Sequence, residues 1–213
     1  MTRIEAIEGF LLRGGPAMWV IAALSVLMVT LVLWRIWRLS LAGAWSGGRA
    51  EALVTDLCAG ADAATLPLDA RRVRPRFVRD CVGVLSEPGL DRGLQQAEIT
   101  RLAMLEIAGL RHGLRPLDLI ATIAPLVGLL GTVLGMIDAF QALQLAGDTV
   151  DATLLAGGIW QALLTTAAGM AVAIPATIAH SWFEAVADRV QADLEGIATR
   201  LFACFATGRA KVA

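Results

Sequence analysis

The stretch "APLVGLLGTVLGMIDAF" at positions 124–140 is apolar enough to lie in lipid, yet it carries Pro125, Gly128, Gly131, Thr132 and Gly135. Glycine and proline are poor helix formers, and a lone helix in lipid gains nothing from them. On a helical wheel Ala124, Gly128, Gly131 and Gly135 fall on one face, with Thr132 beside it. A face without side chains lets helix backbones approach closely where no hydrophobic effect drives association. This helix is therefore expected to meet other protein rather than lipid.

The rest of the chain places that helix in a membrane. Of 213 residues 57% are hydrophobic, against about 45–50% apolar in soluble chains. A net charge of −1 gives no case for a nucleic-acid partner. Cys58, Cys81 and Cys204 are odd in number and lack CxxC spacing. That speaks against a disulfide framework and a zinc site, and suits three free thiols in a reducing compartment.

Ala17 to Trp34 is an uncharged run long enough to span. Trp34, Arg35, Trp37 and Arg38 stand where a signal peptide would need small residues for cleavage, so the run reads as a retained helix. Trp19, Trp34 and Trp37 fit interfacial anchors. A second span covers about Leu119 to Leu143, and a third runs from Ala152 to Ala179 without a charge. Only the short "QLAGDTVD" separates them, so they are expected to be antiparallel neighbours.

Arginine sets the orientation. Between Pro116 and Asp188 there is no Lys or Arg, whereas Ser40 to Arg115 carries Arg71, Arg72, Arg74, Arg76, Arg79, Arg92, Arg101, Arg111 and Arg115. Arg189, Arg200, Arg209 and Lys211 follow the third span. The positive-inside rule puts both basic segments in the cytoplasm and the N-terminus in the periplasm. The expected plan is an all-α membrane protein. It has a periplasmic amphipathic segment at 1–15, a first transmembrane helix at 16–39, a cytoplasmic helical loop at 40–116 and a second transmembrane helix at 117–143. A periplasmic hairpin at 144–151, a third transmembrane helix at 152–181 and a cytoplasmic C-terminal helix at 182–213 complete it.

Phe183, Val186, Val190, Leu194, Ile197, Leu201 and Phe205 recur at three- and four-residue steps, so the third span is expected to continue as one long helix. Leu94, Leu102, Leu105 and Leu110 mark a helix leading into the second span, adjusted near Pro116. "RRVRPRFVR" at 71–79 reads as a basic linker near anionic headgroups. Ile4, Ile7 and Leu11 suggest the amphipathic segment on the outer surface.

In the third span Gly158, Gln161, Thr165, Gly169 and Ala176 form a second small and polar strip, flanked by Thr166. Packing within one monomer accounts for the glycines. A partner helix or wet lumen accounts better for Thr132, Gln161, Thr165 and Thr166, because an amide in lipid is costly without a partner. That second reading is preferred, and the four polar residues are the candidate partner-facing, pore-lining positions. Gly128, Gly131, Gly135, Gly158, Gly169, Pro125 and Pro175 are the candidate packing positions. No Asp, Glu, Lys, Arg or His lies between Leu119 and Ile137 or between Ala152 and Ala179. Hydroxyls and an amide can hold water but cannot take up and release a proton, so any proton carrier must come from another chain.

"TIAPLVGLLGTVLGMIDAF" at 122–140, followed by "GGIWQALLTTAAGMAVAIPA" at 157–176, resembles the MotA/TolQ/ExbB proton-channel family in its ExbB/TolQ branch. The resemblance covers both motifs, their spacing and the three-span plan; the cytoplasmic parts match in layout only. It implies a homopentameric bundle in the bacterial inner membrane around single-span ExbD- or TolR-like partners, whose aspartate carries the proton, with a TonB-like protein as a further partner. It also implies that Thr132 and Thr166 line the pore. Gln161 departs from members that carry glutamate there, which removes a titrating role at that position. The implied function is a stator that turns proton flow into work on the envelope, for instance for TonB-dependent import. A TolQ-type constriction stator and a non-channel scaffold are the competing readings. HExxH, GxSxG and Walker patterns are absent, so neither an enzyme, a cofactor nor a metal is expected.

Overall fold

The computed structural model describes residues 15–45, 48–61, 72–145 and 152–207. The expected N-terminal amphipathic helix and most of the periplasmic hairpin lie outside these residues. Among the described residues the chain is helical throughout: α1 Gly15–Leu41, α2 Gly48–Cys58, α3 Val73–Leu85, α4 Arg92–Arg111, α5 Arg115–Leu145 and α6 Ala152–Ala206. They form two compact units, one within Met1–Leu33 and Gly113–Ser181, the other within Trp34–His112 and Trp182–Ala213.

The first unit holds the spans. Three helices are long and apolar enough to cross a membrane. At 1.5 Å per residue the 27 residues of α1 reach about 40 Å, more than a hydrocarbon core needs. Only 22% of the most apolar window of α1 is buried inside the chain. Val26, Leu33, Leu126, Leu129, Leu163 and Ile174 are among the side chains left exposed. That much outward apolar surface requires lipid or other subunits around it.

Inside this unit the small residues do the packing. Ala124, Gly128 and Gly131 of α5 are buried, as are Ala162, Thr165, Val172, Ala173 and Ala176 of α6. A Cβ added to Gly128 would lie 2.9 Å from the Thr165 carbonyl oxygen and 3.0 Å from the Thr166 Cα. One added to Gly158 would lie 2.5 Å from the Ala139 Cβ, and one added to Gly131 3.0 Å from the Ala17 Cβ. The two glycine strips, expected to meet a partner helix or a lumen, meet each other within one chain. Within the chain, the glycine face of α5 meets α6, with Ala17 of α1 beside it at Gly131.

The second unit has a core of its own, in which Val54, Leu57, Phe77, Val78, Ile99, Phe183, Val190, Leu194, Ile197 and Leu201 are buried. The periodic stripe read after the third span is thus a core face, and α6 is one continuous 55-residue helix with Pro175 inside it. Trp45 stacks on Trp182 with ring centroids 6.0 Å apart.

Three expectations need correction here. Residues 73–79 of the supposed basic linker at 71–79 belong to α3, in which Val73, Arg74, Pro75, Phe77, Val78, Cys81 and Val82 are buried. Arginines interleaved with one apolar helical face hid its period, and Pro75 is tolerated in the first turn because an N–H there would have no acceptor within the helix. In α4 the core contacts are Ile99 and Leu110, while Leu94 and Leu105 are exposed. The break between α4 and α5 falls at Gly113, with φ +88°, rather than at Pro116, which sits in the first turn of α5. The three thiols are not all free: Cys58 and Cys204 are joined by a disulfide across 146 residues of sequence, and only Cys81 is a free thiol.

Candidate functional site

The polar residues of α5 and α6 divide into two groups. Thr165 is 1% exposed, and the single proton of its Oγ1 is shared between the Ala162 carbonyl oxygen at 2.7 Å and the Gly128 carbonyl oxygen at 3.2 Å. Expected on the partner-facing strip, it instead lies inside the contact between the two helices. There a Cβ added to Gly131 would stand 2.6 Å from its Oγ1. Its neighbour Thr166 is half-buried, and its Oγ1 donates to the same Gly128 carbonyl at 3.1 Å. Gly128 therefore does two things at once. Its missing side chain admits α6, and its carbonyl accepts both hydroxyls.

Thr132, one turn further along α5, is also half-buried and donates to the Leu129 carbonyl at 2.6 Å. A threonine hydroxyl that has donated its proton keeps lone pairs that can accept. Thr132 and Thr166 are partly open on the chain's surface, so each can accept a hydrogen bond from water or from a protonated carboxyl group on another molecule. Neither can titrate.

Gln161 lies beside a cavity of about 30 Å³, room for one water. Gly15, Gly131, Asp138 and Thr165 also line it. The amide nitrogen of Gln161 is 3.9 Å from where a Cβ on Gly15 would stand. Gln161 and Thr165 are thus brought together within the chain, and Asp138 joins them from the end of the apolar stretch. Of the candidate packing residues, Gly135 faces Ala162, a Cβ there standing 3.2 Å from the Ala162 Cβ. Pro125 is half-buried, and Pro175 is exposed on the surface of this chain. No group of His, Cys, Asp and Glu suited to hold a metal occurs among the described residues.

Two arginines that matter to the second unit were not singled out in the sequence. Arg74 is buried. Its Nε donates to Asp193 Oδ2 at 2.8 Å, and its Nη1 donates to the carbonyls of Gly43 at 3.1 Å and Ala44 at 3.0 Å. One guanidinium thereby ties α3 to α6 and to the turn after α1. Arg35 is 1% exposed, and its Nη1 donates to the His112 carbonyl at 2.8 Å. The available signal was placement: each arginine sits on the apolar face of its own helix.

Residues 73–196 match the MotA/TolQ/ExbB proton channel family. The match takes in α3, α4, α5 and most of α6. The chain is 35% identical over 122 residues to a biopolymer transport protein exbB1 of Vibrio cholerae, covering 57% of this chain and 54% of that one. It is 36% identical over 173 residues to an ExbB-like biopolymer transport protein of Synechocystis, covering 76% and 65%. It is 36% identical over 103 residues to the Tol-Pal system protein TolQ of Pseudomonas aeruginosa, covering 46% and 44%. The chain thus spans roughly half to two thirds of these relatives' lengths. Two motif-bearing helices packed glycine to glycine, half-open threonines on both and a matched stretch running through them all point one way: this chain belongs to the MotA/TolQ/ExbB proton channel family, in its ExbB/TolQ branch.

Proposed function

We propose that this chain is the stator subunit of a proton-motive-force-driven motor in the bacterial inner membrane. In this reading several copies, five by family resemblance, surround an ExbD- or TolR-like single-span partner. The partner's membrane carboxylate carries the proton, and its motion passes work to the periplasm or outer membrane. One observation carries the reading. In a proton-channel family, the two motif helices present hydroxyls but no ionisable group across Leu119–Ile137 and Ala152–Ala179. Thr132 and Thr166 are the proposed pore-lining positions. The outward apolar surface of the spans supplies area for subunit contacts as well as for lipid. ExbB-type import and TolQ-type constriction both fit, and relatives bearing both names match the chain.

The arginine distribution supports a periplasmic N-terminus and a cytoplasmic second unit. The Cys58–Cys204 disulfide pulls the other way, since such bonds are rare in reducing compartments. We give the arginines the greater weight. Orientation is fixed at insertion, whereas a disulfide between two thiols opens and closes by exchange.

Co-expression with a single-span protein bearing a membrane aspartate tests the reading. Co-purification of a stable complex, in excess of one copy of this chain per partner helix, is expected. Recovery of this chain without any such partner, from cells where the partner is made and inserted, would overturn it.

A further inference from the structure

We propose that a cavity beside the end of α1 binds the phosphate headgroup of an anionic phospholipid. The cavity measures about 480 Å³ and is lined by Arg35, Arg38, Arg76 and Glu106, with Leu39 and Leu110 among its apolar walls. Three arginines less one glutamate leave two net positive charges around it. Arg76 is already paired with Glu106, its Nε donating to Oε1 at 2.9 Å. Among the described residues neither Arg35 nor Arg38 forms an ion pair.

Arg35 makes the stronger demand. It is buried, and its one hydrogen bond among the described residues goes to a neutral carbonyl. Its Nε and Nη2 have no partner among the described residues. A buried guanidinium facing only a carbonyl is a charge in search of an anion. Phosphate oxygens match its planar fork, which is why arginine recurs wherever phosphate is bound. Arg38, exposed and held over the Trp34 ring with 5.3 Å from Cζ to the centroid, supplies a second donor on the next turn of the same helix.

Position in the chain selects a lipid over a small anion. Arg35 and Arg38 follow the apolar run of α1 directly and alternate with Trp34 and Trp37, both exposed. Exposed tryptophans at the end of a span mark the headgroup layer. Leu39 and Leu110 offer apolar wall that a glycerol and the first acyl carbons would cover and a free phosphate would leave bare. The inference needs the spans but not the stator reading, and lipid binding can be measured without proton flow.

The test uses the full chain, purified in detergent and stripped of lipid. Phosphatidylglycerol is titrated against it, with phosphatidylcholine, glycerol phosphate and inorganic phosphate in parallel, and binding is read by native mass spectrometry and melting temperature. Phosphatidylglycerol is expected to bind and raise the melting temperature. Arg38→Gln should weaken it about tenfold, as loss of one charge-assisted hydrogen bond would, and Arg35→Gln at least as much. Because Arg38 is exposed, its variant keeps the test decisive if Arg35→Gln fails to fold. Equal binding of phosphatidylcholine would overturn the proposal. So would competition by inorganic phosphate at concentrations equal to the lipid, or unchanged affinity in Arg38→Gln.

Discussion

A Cβ placed on Gly169 would stand 2.5 Å from the carbonyl oxygen of Ala124, closer than any methyl can sit to backbone. The obstacle is main chain, so no side-chain rotation relieves it and α5 and α6 must separate. Gly169→Ala is expected to destabilise the chain by about 1–3 kcal/mol or more, as overpacking of a tight core does. Gly196, also in α6, has nothing within 4 Å of its missing Cβ. Gly196→Ala should be stabilising by roughly 0.5–1 kcal/mol through helix propensity. Melting temperatures of the two variants in detergent, moving in opposite directions, check the contact.

Arg74 offers a contrast between buried and exposed ion pairs. Arg74→Ala removes the donor to the Gly43 and Ala44 carbonyls and to Asp193, whose side chain is 41% exposed and can be solvated, and a cost of about 1–3 kcal/mol is expected. Arg74→Lys should recover only part of it, because one ammonium cannot span all three acceptors. Arg111 pairs with Asp188 at 2.8 Å, with both side chains more than half exposed, so Arg111→Ala should cost no more than about 1 kcal/mol. Denaturant titration of the three variants gives the comparison.

The cysteines give a pH-dependent readout. Burial, with a smaller contribution from the Asp80 carboxylate, pushes the Cys81 thiol up to about 12. A raised value keeps it protonated throughout the neutral range, and only the thiolate is nucleophilic. Maleimide at pH 7 should label no cysteine in the folded, oxidised chain and two after reduction. The third should react only on unfolding, when its ordinary acidity returns. Labelling of Cys81 in the folded chain at pH 7 would contradict its burial.

Thr165 and Thr166 are adjacent in sequence and share one acceptor, yet they should fail differently. Thr165→Val removes a buried hydroxyl that binds Gly128 and Ala162, so a lower melting temperature is expected, by about 0.5–1.5 kcal/mol of stability, with energised activity retained. Thr166→Val and Thr132→Val should assemble with near-normal stability and lose energised activity. The reverse pattern in a melting and activity comparison would exchange their roles.

The legible parts of this fold were those where one physical constraint dominates. Lipid demands an uninterrupted apolar run, so the three spans stand out, and the Phe183-to-Leu201 stripe repeats over enough turns to declare one long helix. Close approach demands glycine, so Gly128, Gly131, Gly158 and Gly169 declare a contact. They do not declare with which helix, because a same-chain neighbour and another subunit ask for the same small face. Thr165 was misplaced for that reason: a hydroxyl turned into a helix pair and one turned toward a lumen leave the same letter in the sequence. Charge misled where it was buried. The run of arginines at 71–79 made α3 read as a linker, although one of them, Arg74, is buried and bonded to acceptors distant in sequence. The Cys58–Cys204 link closes across 146 residues, a separation that no local spacing encodes.

On the stator function proposed above, this chain shapes a proton path whose titrating group belongs to another chain. Proton flux across vesicles of reconstituted protein, under an imposed potential and followed by an internal pH dye, reads that path out. This chain alone should pass no protons above the lipid background. The complex with a single-span, aspartate-bearing partner should pass them. Flux should fall to background when that aspartate becomes asparagine or when this chain carries Thr132→Val with Thr166→Val. Proton flux through this chain alone, undiminished by the double substitution, would rule that function out.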